Sequence, residues 1–276
     1  MPSPATLRAH VESALGEHLS STLLLRERVA PLTVSTGVAA LDELTGGLPR
    51  GALSEIIGPA SSGRTAVMLA ALAGATFREE ACALVDASDN FDPASAAAAG
   101  VNLDRLLWAR CSEPSSPPKN QRPNALGRLE QVLKVTDLLL QGGGLGMVAL
   151  DLGDISAQSA RRVPLTSWFR FRRAVESTPT VLLVVEQEAC AKTCASLVVQ
   201  LQRMAVCARD AARTAETELQ GWKVLSRNGP ALPPTNMVSH AALLCGMQLH
   251  AEVVRSWEQR KPMHSVGTNF ELRATW

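Results

Sequence analysis

Gly58-Pro59-Ala60-Ser61-Ser62-Gly63-Arg64-Thr65 is the stretch on which the reading of this chain turns. It follows the phosphate-loop pattern G-x-x-x-x-G-K-[ST] at every fixed position but one, where Arg64 stands in place of the Lys. In that pattern backbone N–H groups cradle phosphates, the ammonium reaches the outer phosphates and the hydroxyl holds Mg²⁺. Arginine is longer, planar and forked, so the exchange is not neutral in a tight loop. The flanks suit the motif. Leu53 to Ile57 is a short apolar strand and Thr65 to Phe77 an Ala- and Leu-rich helix, a placement that aims N–H groups and the helix dipole at an anion. Gly58, Ser61, Ser62, Gly63, Arg64 and Thr65 are therefore the expected, degenerate, nucleotide-binding set.

Working outward, strand and helix signals alternate. Ala81 to Val85 is a strand ending at Asp86, Arg105 to Ala109 a third, and Gly146 to Leu150 a buried strand ending at Asp151. Val181 to Val185, Leu197 to Leu201 and Trp222 to Leu225 complete the strands. Between them lie helices at Pro93 to Ala99, at Leu126 to Leu140 (stopped by Gly142-Gly143-Gly144) and across Ser156 to Ser177, broken at Pro164. Short continuous apolar strands alternating with helices predict an α/β fold with a mostly parallel central sheet flanked by helices. Asp151, at a strand end downstream of the loop, is placed to support Mg²⁺. Its plainer reading, the end of a core strand, is outweighed by the loop upstream.

Three parts are expected. Residues 1–30 form a helical arm, with Leu7, Val11, Ala14, Leu15 and Leu19 on one face; 31–230 form the core; 231–276 form a tail. Residues 112–124 carry four Pro and read as a surface loop. The tail, which ends at Trp276, reads either as a partner-docking motif or as a strand packed on the core.

Composition excludes several classes. With 276 residues, 46% hydrophobic and 19% charged, the chain is an ordinary globular protein, and its net charge of +1 gives no global attraction to nucleic acid. Six scattered Cys read as reduced thiols of a cytoplasmic protein. Cys190 and Cys194 lie four apart with Lys192 between them and no His nearby, and read as ordinary cysteines rather than a structural metal site. No apolar run reaches the ~18–20 residues of a membrane span, so no membrane is expected.

A family resemblance emerges from several segments together. Thr36-Gly37-Val38-Ala39-Ala40-Leu41-Asp42, Gly46-Gly47-Leu48-Pro49-Arg50-Gly51 and Glu55-Ile56-Ile57-Gly58 resemble the entry to a RecA-type P-loop core. Val85-Asp86-Ala87-Ser88-Asp89-Asn90-Phe91-Asp92-Pro93, and Val181 to Val185 followed by Glu186-Gln187, are similar to later parts of it. The resemblance implies ATP with Mg²⁺ as ligand, held through Thr65 and Asp151, and makes Gln187 the nucleotide-sensing residue. It also implies single-stranded DNA contact through the loop after Asp151, with Arg161 and Arg162, and through a reduced second loop, Glu188 to Ala195, with Lys192. Aromatic residues interleave the basic run Arg161 to Arg173, but Trp168 and Phe171 fall on an apolar helix face and read as core.

The departures from that pattern are coordinated. Ser88 stands where the family carries a catalytic Glu, and Ala94 and Ser95 where an aromatic ring stacks on adenine. With Arg64 these imply that no catalytic residue remains and that ATP and Mg²⁺ binding is weak or lost. Within the family, the loop and the helix Arg128 to Gln141 are similar to the ImuA-type accessory subunit of bacterial translesion mutagenesis cassettes. That likeness implies a non-catalytic scaffold in DNA-damage tolerance. Its partners would be an inactive Y-family-like and an error-prone C-family polymerase subunit, with RecA or a second copy of the chain also expected. The competing reading is a divergent ATP-dependent recombinase or mediator on single-stranded DNA, and a third is a cell-division inhibitor.

Overall fold

The computed structural model describes residues 31–111, 125–208, 244–257 and 266–273. The expected arm at 1–30, the Pro-rich loop at 112–124 and the strand at 222–225 lie outside these residues. An eight-stranded sheet runs from edge to edge through Val266–Arg273, Leu244–Arg255, Ala195–Ala208, Ala52–Ile57, Val181–Glu186, Met147–Asp151, Cys82–Asp86 and Leu106–Arg110. Six neighbouring strands are parallel: β3 (Ala52–Ile57), β4 (Cys82–Asp86), β5 (Leu106–Arg110), β6 (Met147–Asp151), β7 (Val181–Glu186) and β8 (Ala195–Ala208). β9 (Leu244–Arg255) and β10 (Val266–Arg273) add antiparallel to β8, and β1 (Thr33–Val34) pairs with β2 (Leu48–Pro49) in a separate ribbon. The central sheet is mostly parallel and flanked by helices, a P-loop α/β fold.

Two apolar layers sandwich the sheet. On one side lie α1 (Ala39–Thr45), α2 (Arg64–Phe77) and α3 (Pro93–Ala98). Val67, Met68, Ala71, Leu72 and Ala75 of α2 are buried at helical spacing against the sheet. On the other side lie α4 (Ala125–Gly142), α5 (Ala157–Ala160) and α6 (Leu165–Val175), which present Leu129, Val132, Trp168, Phe171 and Val175. Trp168 and Phe171 are fully buried, with ring centroids 5.9 Å apart edge to face, so the aromatic interleaving of the basic run is core packing. Leu165, three residues before Trp168, is 37% exposed, because it sits at the first turn beyond the packed stripe.

The strand boundaries correct one sequence reading, and in the tail they follow the strand alternative. β8 continues seven residues past Leu201, to Ala208, because β9 supplies antiparallel ladder partners there. The region after residue 230 contributes two strands to the main sheet: Leu249, Ala251 and Val253 of β9 enter the core beside α2. Alternate residues of these strands, His250 and Asn269 among them, form a polar face joined by a 2.6 Å contact between the two side chains.

The parallel strands carry the C-terminal ends of β3, β4, β6 and β7 to the same edge of the sheet. Loops at such an edge are where open α/β sheets hold ligands.

Candidate nucleotide site

The loop between β3 and α2 is bent by two left-handed residues, Ser61 (φ 59°) and Gly63 (φ 85°). Gly63 is required twice over: its positive φ disfavours a side chain, and a Cβ there would run into Leu249 of β9. The first turn of α2 begins at Arg64, so the N–H groups of Arg64, Thr65 and Ala66 have no intrahelical acceptor. Thr65 is exposed, whereas Ser62 and Arg64 are 1% and 7% exposed.

Arg64 turns towards the carboxylates at the sheet edge. Its Nη2 donates to the Gly153 carbonyl at 3.3 Å, and its Nη1 is buried without a partner, as is Ser62 Oγ. Burial lowers its pKa from the ordinary arginine value, while the nearby charges of Asp151, Asp154 and Glu186 oppose that shift. Asp151 ends β6, with its Oδ1 accepting from the Gly153 N–H at 2.8 Å. Burial pushes its carboxyl above the usual range; Asp86 and Asp154 add to the shift and the Gly153 N–H and Arg64 work against it. Gln187 donates from Nε2 to the same Gly153 carbonyl at 3.1 Å. One carbonyl thus gathers Arg64, Gln187 and the Asp151 turn into a single cluster.

Ser88, where the resemblance leads one to expect a catalytic Glu, does not gain a carboxylate from a neighbour. Ser88 donates its N–H to Asp86 Oδ1 at 3.1 Å, and its side chain is a hydroxyl. Asp89 is held in a two-pronged ion pair by Arg110, at 2.6 and 2.8 Å, which stabilises its charged form and lowers its pKa. Asp86 accepts instead from the Phe91 N–H (2.9 Å) and from Trp108 Nε1 (3.3 Å), and Phe91 packs edge to face on Trp108. Asn90 ties this loop to Asp154 at 2.8 Å. Ala94 and Ser95 lie in the first turn of α3, capped by Asp92, and present no ring.

The candidate DNA contacts fall on the neighbouring loops. Arg161 and Lys192 line one cleft of about 200 Å³, with Val163, Leu165, Ala189 and Cys190. Arg161 is ion-paired with Glu188, the residue after Gln187, and Lys192 holds a left-handed backbone (φ 51°) in a short 3₁₀ turn. Arg162 is exposed on the same loop as Arg161 but does not line the cleft.

A charged cluster behind this cleft carried only a weak sequence signal. Glu55, in the middle of the apolar strand β3, is fully buried. Its Oε1 accepts from the backbone N–H groups of Cys190 (3.0 Å) and Ala191 (2.6 Å). Glu186 accepts from the Cys190 N–H at 3.2 Å and from its thiol, with the Glu55 carboxyl within 4.8 Å. Burial, then the Glu55 contact, push Glu186 up to about 9, so it carries the shared proton at neutral pH. Burial and these carboxyls also push the Cys190 thiol far up. Glu55, Glu186 and Cys190 offer three donor atoms within 4.8 Å, the one such group among the described residues. The raised values of Glu186 and Cys190 oppose the deprotonation a metal requires. The anomaly visible in sequence was a lone Glu in a strand buried on both faces.

Taken together, the loop, the helix N-terminus and the strand-end carboxylate define an α/β protein of the P-loop class. A profile of the RecA N-terminal domain matches residues 8–158, and the chain belongs to that family. Among curated relatives it is 36% identical to the RecA protein of Rickettsia canadensis over 149 residues, 53% of this chain and 39% of that protein. It is 39% identical to RecA of Ectopseudomonas oleovorans over 120 residues, covering 43% and 30% of the two chains. The match to RecA of Deinococcus radiodurans is 35% over 148 residues, covering 53% and 37%. The match thus spans 30–39% of the length of these relatives.

The residues present fit a polyphosphate: two buried polar atoms lack partners beside unclaimed helix N–H groups. Thr65 and Asp151 also retain the oxygens that would face Mg²⁺, although the Arg64 charge lies close to Asp151. No helix among the described residues is long and apolar enough to cross a membrane.

Proposed function

We propose that this chain is a RecA-family protein of DNA metabolism that binds nucleotide without turning it over at a useful rate. Its role is that of an accessory scaffold in DNA-damage tolerance, beside an inactive Y-family-like and an error-prone C-family polymerase subunit. The observation that carries the reading is the state of the water-activating position. Ser88 offers no general base there, and Asp89, the one adjacent carboxylate, is locked to Arg110. Phosphoryl transfer depends on positioning and charge stabilisation, so losing this base together with the loop Lys costs orders of magnitude in rate. A fold kept while its chemistry is lost is a fold kept for its surfaces.

A second reading has its own support. The curated relatives quoted above are RecA proteins, and Thr65, Asp151 and Gln187 are retained. These favour a divergent ATP-dependent recombinase or mediator that binds single-stranded DNA. The two separate by pull-down and turnover. Capture of the polymerase subunits by the full chain, with no DNA-stimulated ATP hydrolysis, supports the scaffold. Hydrolysis and nucleotide-dependent filaments on single-stranded DNA support the recombinase.

A further inference from the structure

Arg64 is buried at the mouth of a loop built for anions, yet its guanidinium is only partly used. Nη2 is fixed by the Gly153 carbonyl, while Nη1 has no acceptor. Ser62 Oγ, two residues earlier, is likewise buried and unpartnered. Buried donors without partners carry a desolvation cost, and two of them beside three unclaimed helix N–H groups mark a place where acceptor oxygens belong. α2 has 14 residues, long enough for its N-terminal dipole to add to that preference. The carboxylates opposite are Asp151 and Asp154, with Asp86 beside Asp151 in the ladder. An anion entering here meets that negative field and needs a counter-charge between them. In most phosphate sites a divalent cation brings it. Here a fixed cation already stands in the gap: Arg64 interacts with Asp151 and Asp154 from its position at the Gly153 carbonyl.

We infer that Arg64 is a tethered substitute for the divalent cation, so that this loop takes the diphosphate of a nucleotide in the absence of Mg²⁺. The inference rests on the nucleotide-binding reading proposed above. Nη1 and Ser62 Oγ donate to phosphate oxygens, the first-turn N–H groups of α2 complete the cradle, and Nη2 stays on Gly153. Arginine suits this task because its planar fork donates to phosphate and to a carbonyl at once, which a single ammonium point charge does less well.

The test is a calorimetric titration of the full chain with ADP, once in EDTA and once in excess Mg²⁺, repeated for Arg64→Lys and Arg64→Gln. For the unmodified chain the affinities in the two buffers agree within about threefold. Arg64→Lys makes binding depend on Mg²⁺ by about tenfold or more, and Arg64→Gln abolishes binding in EDTA. Thermal melting of each variant, with and without ADP, separates lost binding from lost folding, because a folded variant that does not bind shows a normal transition and no ligand shift. Binding to the unmodified chain that appears only with Mg²⁺ overturns the inference and leaves the nucleotide reading intact. Full binding by folded Arg64→Gln in EDTA overturns it too. Binding in neither buffer overturns both, and makes Arg64 a plug in its own loop.

Discussion

Glu186→Gln is the substitution whose pH dependence the structure allows to be worked through. The groups facing Glu186 are Glu55 from β3 and the Cys190 thiol and N–H from the following loop, with Arg64 further off. Its carboxyl is raised from 4.5 to about 9 in the fold. A raised acid binds its proton in the native state where the unfolded chain has released it. The contribution of this group to stability is therefore complete below the ordinary value, declines as pH rises and is lost by about pH 9. The slope is about 1.4 kcal/mol per pH unit, so near pH 7.5 the cost approaches about 4 kcal/mol. Relaxation and water entry reduce such penalties for buried carboxyls. Glutamine stays neutral and can still donate to Glu55, so the variant should be more stable than the parent by about 1–3 kcal/mol near pH 7.5. The assay is urea unfolding at several pH values between about 5.5 and 8.5. The parent should lose stability across that range and the variant much less. A flat parent profile, with a variant less stable at every pH, refutes the shared proton.

Three further outcomes follow from the same geometry. Trp168→Ala should cost about 3–5 kcal/mol by urea unfolding, since the ring is fully buried. Trp168→Phe should cost far less, because Trp168 Nε1 has no partner to lose, and Phe169→Ala, at a 48% exposed ring, about 0.5 kcal/mol or less. Ser88→Glu alone should raise ATP turnover by less than about tenfold, whereas Ser88→Glu with Arg64→Lys should exceed the product of the single effects, because these parts act as a unit. Arg161→Ala and Lys192→Ala should each weaken single-stranded DNA binding in filter assays and lower the logarithmic salt slope by about 0.7, while Glu188→Gln, which frees Arg161, should tighten it.

Much of the fold was legible because its signals were local. The β3 strand, the loop and α2 announce themselves through an apolar run, two glycines and an Ala-rich helix, and their positions differ from expectation by a residue. What sequence could not give was partnership across the sheet. β8 reads as ending at Leu201 because Gln202 and Arg203 are polar, yet β9 carries the ladder on to Ala208. The tail from residue 231 left docking motif and strand open, since an antiparallel edge pair declares itself only through its neighbour. At the site, Arg64 and Gln187 were named from the sequence, but their joint anchor, the Gly153 carbonyl, carries no side chain to notice. The Glu55–Glu186–Cys190 cluster joins residues more than a hundred positions apart, so only the oddity of a carboxylate inside an apolar strand pointed to it.

The central claim is that the RecA core here holds nucleotide but has lost its turnover. The most direct measurement is steady-state ATP hydrolysis by the full chain with saturating single-stranded DNA, run beside an authentic RecA protein at equal concentration. The account predicts phosphate release at background, lower than the recombinase by a factor of about 100 or more. Turnover within about tenfold of the recombinase, abolished by Thr65→Ala, would contradict it.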